Sequence, residues 1–189
     1  MNKQHDKKII SLLVDNHSGV LARISSLFNR RGFNIESLTV STTNDPTISR
    51  ITLTVQNDER ALNQIVLQTA RLEETKQIFV LDEEKSLQRE LLLLKVAADV
   101  TNRTELREIA DIYKAKIIDL SPDSMVFELT GKPSKIDAFL NMFQEYTVLE
   151  LCRTGVTALE RGGMHTHMQK PVSEVSEAQM GLLGLALED

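Results

Sequence analysis

The sequence predicts an α+β protein made of two tandem β-α-β-β-α-β units. Three observations carry this. Short apolar runs of strand length alternate with amphipathic helical stretches, the order of elements before residue 83 recurs after it, and Gly, Asn-Asp-Pro or Ser-Pro punctuation falls at most of the junctions. The chain has 189 residues, 41% hydrophobic and 26% charged, enough for two small cores.

Lys8-Ile9-Ile10-Ser11-Leu12-Leu13-Val14 is the first strand and Asp15-Asn16-His17-Ser18-Gly19 the loop after it. Val20, Leu21, Ile24, Leu27 and Phe28 recur at helical spacing, and Gly32 stops the helix. Asn34–Thr43 reads as a strand and turns at Asn44-Asp45-Pro46 into another, where Ile51, Leu53 and Val55 alternate with threonines. Asp58 can cap a helix carrying Leu62, Ile65, Val66 and Leu72, and residues 77–81 close the unit with a strand. After the charged link 82–85 come strand 90–98, helix 102–114, strands 116–120 and 124–130, helix 134–145 and strand 148–157. Asn102-x-x-Glu105 and Ser134-x-x-Asp137 suit the two helix starts. Each unit is then a ferredoxin-like, four-stranded antiparallel sheet with two helices on one face. The domains are predicted as 1–83, 84–161 and a tail, 162–189. That tail has a net charge of −3 and four of the eight glycines. It reads either as disordered or as docked through its apolar end.

The fold covers one sheet face and leaves an edge free, so oligomerisation is expected. Thr39, Thr52 and Thr54 suggest that the other face of the first sheet is wet.

Composition excludes several functions. No apolar run is long enough to span a membrane and the N-terminus is polar, so a cytoplasmic protein without a membrane partner is expected. One cysteine, Cys152, leaves no disulfide framework, and within its apolar strand it reads as a buried small hydrophobe. The net charge of −5 and the absence of aromatics on strand 50–55 argue against nucleic acid. Catalytic equipment is missing. His5 is terminal, His17 has no nucleophile beside it in sequence, and His165 and His167 lie in the tail without a third ligand, so no metal site is expected. Gly131-Lys132-Pro133-Ser134 lacks the upstream glycine of a phosphate loop.

The loop from Asp15 to Leu21 stands apart. It leads from a core strand into a helix N-terminus, where unpaired N–H groups can hold a carboxylate, and Gly19 lets the ligand approach. Asn16 can both accept and donate, as an α-amino acid headgroup requires. Equally, Gly19 can merely turn the chain while Ser18 caps the helix. The matching stretch of the second unit, residues 99–106, has no glycine and puts Glu105 in the first helical turn, so no carboxylate should bind there.

The strings from Leu12 to Leu21 and from Arg31 to Val40, followed by Asp45-Pro46-Thr47-Ile48-Ser49-Arg50, resemble the ACT domain of the regulatory small subunit of acetolactate synthase, also called acetohydroxyacid synthase. Ile117–Pro122 and Arg153–Val156 are similar to the second half of that family. The resemblance covers roughly residues 8–162. It implies a non-catalytic subunit that binds the catalytic large subunit, raises its activity and imposes feedback inhibition by a branched-chain amino acid, usually valine. It also implies that thiamine diphosphate, Mg²⁺ and FAD belong to the partner, with no cofactor in this chain. The effector would lie between the ACT domains of a homodimer. The loop Asn16, His17, Ser18, Gly19, Val20 and Leu21 of one copy would head it, and Asn34 and Ile35 of the other would close it. A freestanding ACT-type amino-acid sensor acting on another partner is the alternative.

Overall fold

A computed structural model describes residues 7–56 and 59–162. The expected tail with His165 and His167, His5 and the Asp58 cap lie outside the described residues. The elements are β1 (Lys7–Asp15), α1 (Val20–Arg30), β2 (Ile35–Thr42), β3 (Ile48–Gln56), α2 (Glu59–Ala70) and β4 (Thr75–Leu81). They continue with β5 (Ser86–Ala97), α3 (Arg103–Tyr113), β6 (Lys116–Leu120), β7 (Ser124–Gly131), α4 (Pro133–Asn141), β8 (Val148–Arg153) and β9 (Thr157–Glu160). The expected repeat is present, with sheets ordered β2-β3-β1-β4 and β6-β7-β5-β8.

Two compact units divide the chain, one reaching Leu87 and regaining the chain at Ala158, the other spanning Gln88–Thr157. In the first, β1 is central and antiparallel to both β3 and β4. Ile10 and Leu12 lie opposite Leu53 and Ile51 of β3, Leu12 also lies opposite Ile78 of β4, and with Val14 they form the face onto which the buried stripe Val20, Ile24 and Phe28 of α1 packs with Leu62, Ile65 and Val66 of α2. In the second, Leu92, Leu94 and Val96 of β5 pair with Leu129, Phe127 and Met125 of β7. An aromatic cluster of Phe127, Phe139, Phe143, Tyr113 and Tyr146 fills the space under the helices, with ring centroids 4.8 Å apart for Phe139 and Phe143.

Four expectations need correcting. Thr52 and Thr54 are buried and Thr39 half-buried, along with Ile9, Ser11, Phe79 and Leu81 on the same face. Threonine methyls pack well, and the hydroxyls find partners across strands: Ser37 Oγ donates to Thr54 Oγ1 at 2.9 Å. Arg50, on that face too, reaches the Ala158 carbonyl of the returning segment. Cys152 is exposed, because β8 is an edge strand and Cys152 sits opposite Leu93 on the face away from the helices. The strand expected over 148–157 breaks after Arg153, where Gly155 takes φ +80°. Neither predicted capping pair forms: Asn102 Oδ1 accepts from the Asp99 N–H instead, and α4 starts at Pro133, whose fixed φ suits the first helical position, so Ser134 lies inside the helix.

Candidate effector site

Asp15 ends β1 and four residues lead into α1. The residue before the helix is Gly19, at φ +92° and ψ −20°, with no side-chain capping bond, so Ser18 does not cap. A left-handed φ is open to glycine at little cost. A Cβ built on Gly19 meets nothing within 4 Å, so the space in front of the helix start is open. The first turn has no acidic residue, and its N–H groups keep their partial positive charge unanswered by a side chain.

The nearby cations are already engaged. Arg23, one turn into α1, pairs with Glu74, and Lys76 Nζ lies 2.7 Å from Asp15 Oδ2. Glu74's own backbone N–H, with Arg23, holds its carboxyl below the ordinary value of 4.5. An incoming carboxylate would therefore meet backbone N–H groups rather than a free guanidinium.

Asn16 is exposed and oriented from the β2–β3 hairpin. Its Nδ2 donates to the Pro46 carbonyl at 2.8 Å, its Oδ1 accepts from Ser49 Oγ at 3.0 Å, and its backbone N–H donates to the Thr47 carbonyl at 2.7 Å. A primary amide has two N–H donors and two lone pairs, so one of each stays available to a ligand. The hairpin tip is itself fixed: Asp45 Oδ1 accepts from the Thr47 N–H at 2.8 Å and its hydroxyl at 2.6 Å, and the hydroxyl bond leads in lowering the Asp45 pKa. Pro46, Thr47, Ser49 and Glu74 are the supporting residues that sequence reading missed. Thirty or more positions separate them from Asn16, and only Asp45-Pro46 marked a turn in the sequence.

His17 and Ser18 are exposed beside Gly19, with His17 Nδ1 3.0 Å from the Ser18 carbonyl. Val20 is buried beneath the loop and Leu21 is 40% exposed next to it. Asn34 and Ile35 are elsewhere. Ile35 pairs with Val55, which pairs with Lys8, whereas Gly19 follows Asp15, whose partner is Ile48. The seven residue steps from Lys8 to Asp15 span about 23 Å of strand, so one chain holds the two halves of the expected site at opposite ends of its sheet.

Comparison with known proteins bears directly on this loop. Residues 10–77 match the family model described as the AHAS small subunit-like ACT domain, and residues 89–162 match the one described as the small subunit of acetolactate synthase. The probable acetolactate synthase small subunit of Archaeoglobus fulgidus is 44% identical over 156 residues, covering 82% of this chain and 98% of that protein. This chain belongs to the acetolactate synthase small-subunit family. The Escherichia coli acetolactate synthase isozyme 3 small subunit is 38% identical over 157 residues, covering 82% of this chain and 96% of the relative. The crystal structure of the small subunit from Thermotoga maritima superposes with a TM-score of 0.78 at 36% identity, covering 83% of this chain and 98% of that one. Both family models fall on the observed repeat, so the candidate loop lies in the ACT domain of an acetolactate synthase small subunit. Among the described residues no helix is long and apolar enough to cross a membrane, and no cluster of three metal-ligating side chains occurs.

Proposed function

We propose that this small subunit is non-catalytic, binds the catalytic large subunit of acetolactate synthase, raises its activity and makes it sensitive to a branched-chain amino acid, valine in the first instance. Thiamine diphosphate, Mg²⁺ and FAD would serve in the large subunit. The observation that carries the effector site is the α1 start: a left-handed glycine, no capping side chain, no acid in the first turn, and open space ahead of it. The amino acid's carboxylate docks on the α1 N–H groups, its ammonium meets the spare lone pair of Asn16, and its branched side chain lies against Leu21.

Two copies complete the site. β2 is an edge strand, and antiparallel pairing of β2 with β2 of a second copy sets the start of one strand beside the end of the other. The end of β2 lies at the same end of the sheet as the β1–α1 loop, since Thr42 pairs with Ser49 and Asp15 with Ile48. Asn34 and Ile35 of one copy thereby face the Gly19 loop of the other. Effector binding favours the closed dimer, and that preference passes to the catalytic subunit as a coupling free energy.

Mixed dimers test this arrangement. Asn16→Ala and Asn34→Ala each remove a polar contact to a charged headgroup, and each weakens valine binding about tenfold or more. In a mixed dimer one site holds both lesions and the other neither, so calorimetry should find about half the sites restored. No restored class means that the site lies within one chain. Failure of the purified chain to stimulate an added large subunit while still binding valine would instead favour a freestanding sensor.

A further inference from the structure

One side chain of the effector loop is of a type that changes charge near neutral pH: His17, the one histidine among the described residues. β1 has β3 on one side and β4 on the other, and the loop that follows β1 is tied to both. On the β3 side Asn16 is held by Pro46 and Ser49. On the β4 side the Asp15 N–H donates to the Glu74 carbonyl at 2.9 Å. His17 acts on this second side: Glu74's carboxyl is held below its ordinary value by its own backbone N–H first, then by Arg23 and by the charge of His17. Glu74 Oε1 takes Arg23, while Oε2 is buried without a hydrogen-bond partner.

With Nδ1 at 3.0 Å from the Ser18 carbonyl, the ring rests against the peptide that leads into Gly19 and α1. An imidazolium carries N–H on both nitrogens, so it donates to that carbonyl and sets a full positive charge beside the helix start. The other charged groups around the loop are Asp15 with Lys76, Glu74 with Arg23, exposed Glu73 in the same turn, and Asp45, which accepts from Thr47. A second copy would add Arg31 and the Lys7–Glu36 pair at the start of its β2. None of these residue types ordinarily changes charge between about pH 5.5 and about pH 8. We propose that His17 couples the effector to a proton: its imidazolium, facing the docked carboxylate on one side and Glu74 on the other, tightens the hold on the amino acid as pH falls through neutrality. This rests on the effector-site reading. The ligand's ammonium, on the Asn16 side of the loop, is the farther of its two charges from the ring, so attraction exceeds repulsion. A bound carboxylate favours the protonated ring, and by linkage the proton favours binding, by about threefold to tenfold at an exposed site.

Calorimetry of valine binding to the full chain tests it, run at about pH 5.5 and about pH 8, and near neutrality in two buffers of different ionisation heat. The dissociation constant should rise about threefold to tenfold from the lower pH to the higher. Near neutrality about 0.3–0.5 proton should be taken up per valine bound. His17→Gln should bind at both pH values as the parent does at the higher one, without that uptake. His17→Lys, charged throughout, should bind at both as the parent does at the lower one. His5, His165 and His167 stay in every variant, so these differences belong to His17. Valine binding that ignores pH, uptake that survives in His17→Gln, or a His17→Lys variant no tighter than His17→Gln overturns the proposal and leaves the effector site standing. A parent chain that binds no valine at either pH overturns the effector-site reading, and the proposal with it.

Discussion

The two repeats place a short loop between the first strand and the first helix, four residues in the first unit and five in the second, and they use it in opposite ways. By position in the loop, Asn16 of the first unit corresponds to Asp99 of the second and Gly19 to Asn102. Asp99 Oδ1 accepts from the Thr101 N–H at 2.8 Å and from its hydroxyl at 2.5 Å, while Asn102 Oδ1 accepts from the Asp99 N–H. The second unit therefore carries its own carboxylate in the loop, with Glu105 in the first helical turn behind it. Each loop is also tied to the following hairpin, through the Asn16 amide to the Pro46 carbonyl in one and through Arg103 to the Ser121 and Pro122 carbonyls in the other. The first unit makes that tie with a neutral group and leaves its helix start open. A shared fold thus leaves a helix start open only where side chains do not already fill it.

The second unit binds its charges internally elsewhere too, and the largest effect should come from breaking that habit. Arg153 donates to Glu90, which is 6% exposed, and to Asp137 Oδ1 at 2.8 Å. Arg153→Met leaves the Glu90 carboxylate buried without its partner, a change that costs about 3–5 kcal/mol. Urea denaturation followed at the second unit's tyrosines should show it; a loss below about 1 kcal/mol would mean that Glu90 finds another partner.

Copying the second unit's solution into the first should remove the effector. Gly19→Asp places a carboxylate at the proposed docking point of the ligand's carboxylate, and Asn16→Asp imitates Asp99. Valine inhibition of the reconstituted enzyme should weaken at least about a hundredfold for either, equivalent to about 2.7 kcal/mol. The Gly19 variant also takes on a left-handed φ at a cost of about 1–2 kcal/mol, with room for its Cβ, so its melting curve should stay cooperative. Unchanged inhibition would move the site away from this loop.

Arg103→Ala removes the guanidinium that spans two carbonyls, and should destabilise the second unit by about 1.5–3 kcal/mol. Ser49→Ala in the first unit removes one neutral bond from Asn16 and should cost about 0.5–1.5 kcal/mol. The two values sharpen the contrast between a charged and a neutral tie. Near-equal losses would dissolve it.

The smallest effect is in the acid limb. The Thr101 hydroxyl first, then its N–H, hold the Asp99 carboxyl below its ordinary 3.8. A depressed carboxylate contributes stability above its unfolded pKa and loses it as pH falls through the lower folded value. Asp99→Asn should therefore lower the urea midpoint slightly near neutral pH and leave it unchanged well below the folded pKa. A difference that persists in acid would trace to packing instead of charge.

The sequence alone carried the repeat, the order of elements along the chain and the contrast between the loops, because these rest on local signals: apolar period, turn residues, a glycine before a helix and an acid in a first turn. Its errors fell where the deciding partner is distant along the chain. Thr52 and Thr54 carry polar side chains on alternating positions, and nothing local says that the face they share with Phe79 is covered. Cys152 sits in an apolar run that signals burial, yet its strand is at an edge. Asn16 was legible as a polar loop residue, but that half its hydrogen-bonding capacity is spent on Pro46 and Ser49 became visible only once the hairpin folded back. The same holds for Asn34 and Ile35. Their family motif marks them as site residues, while strand register puts them at the far end of the sheet from Gly19. Spacing along a chain constrains neighbours within a few residues; which strand lies beside which, and which end of a sheet a loop reaches, is decided by long-range pairing.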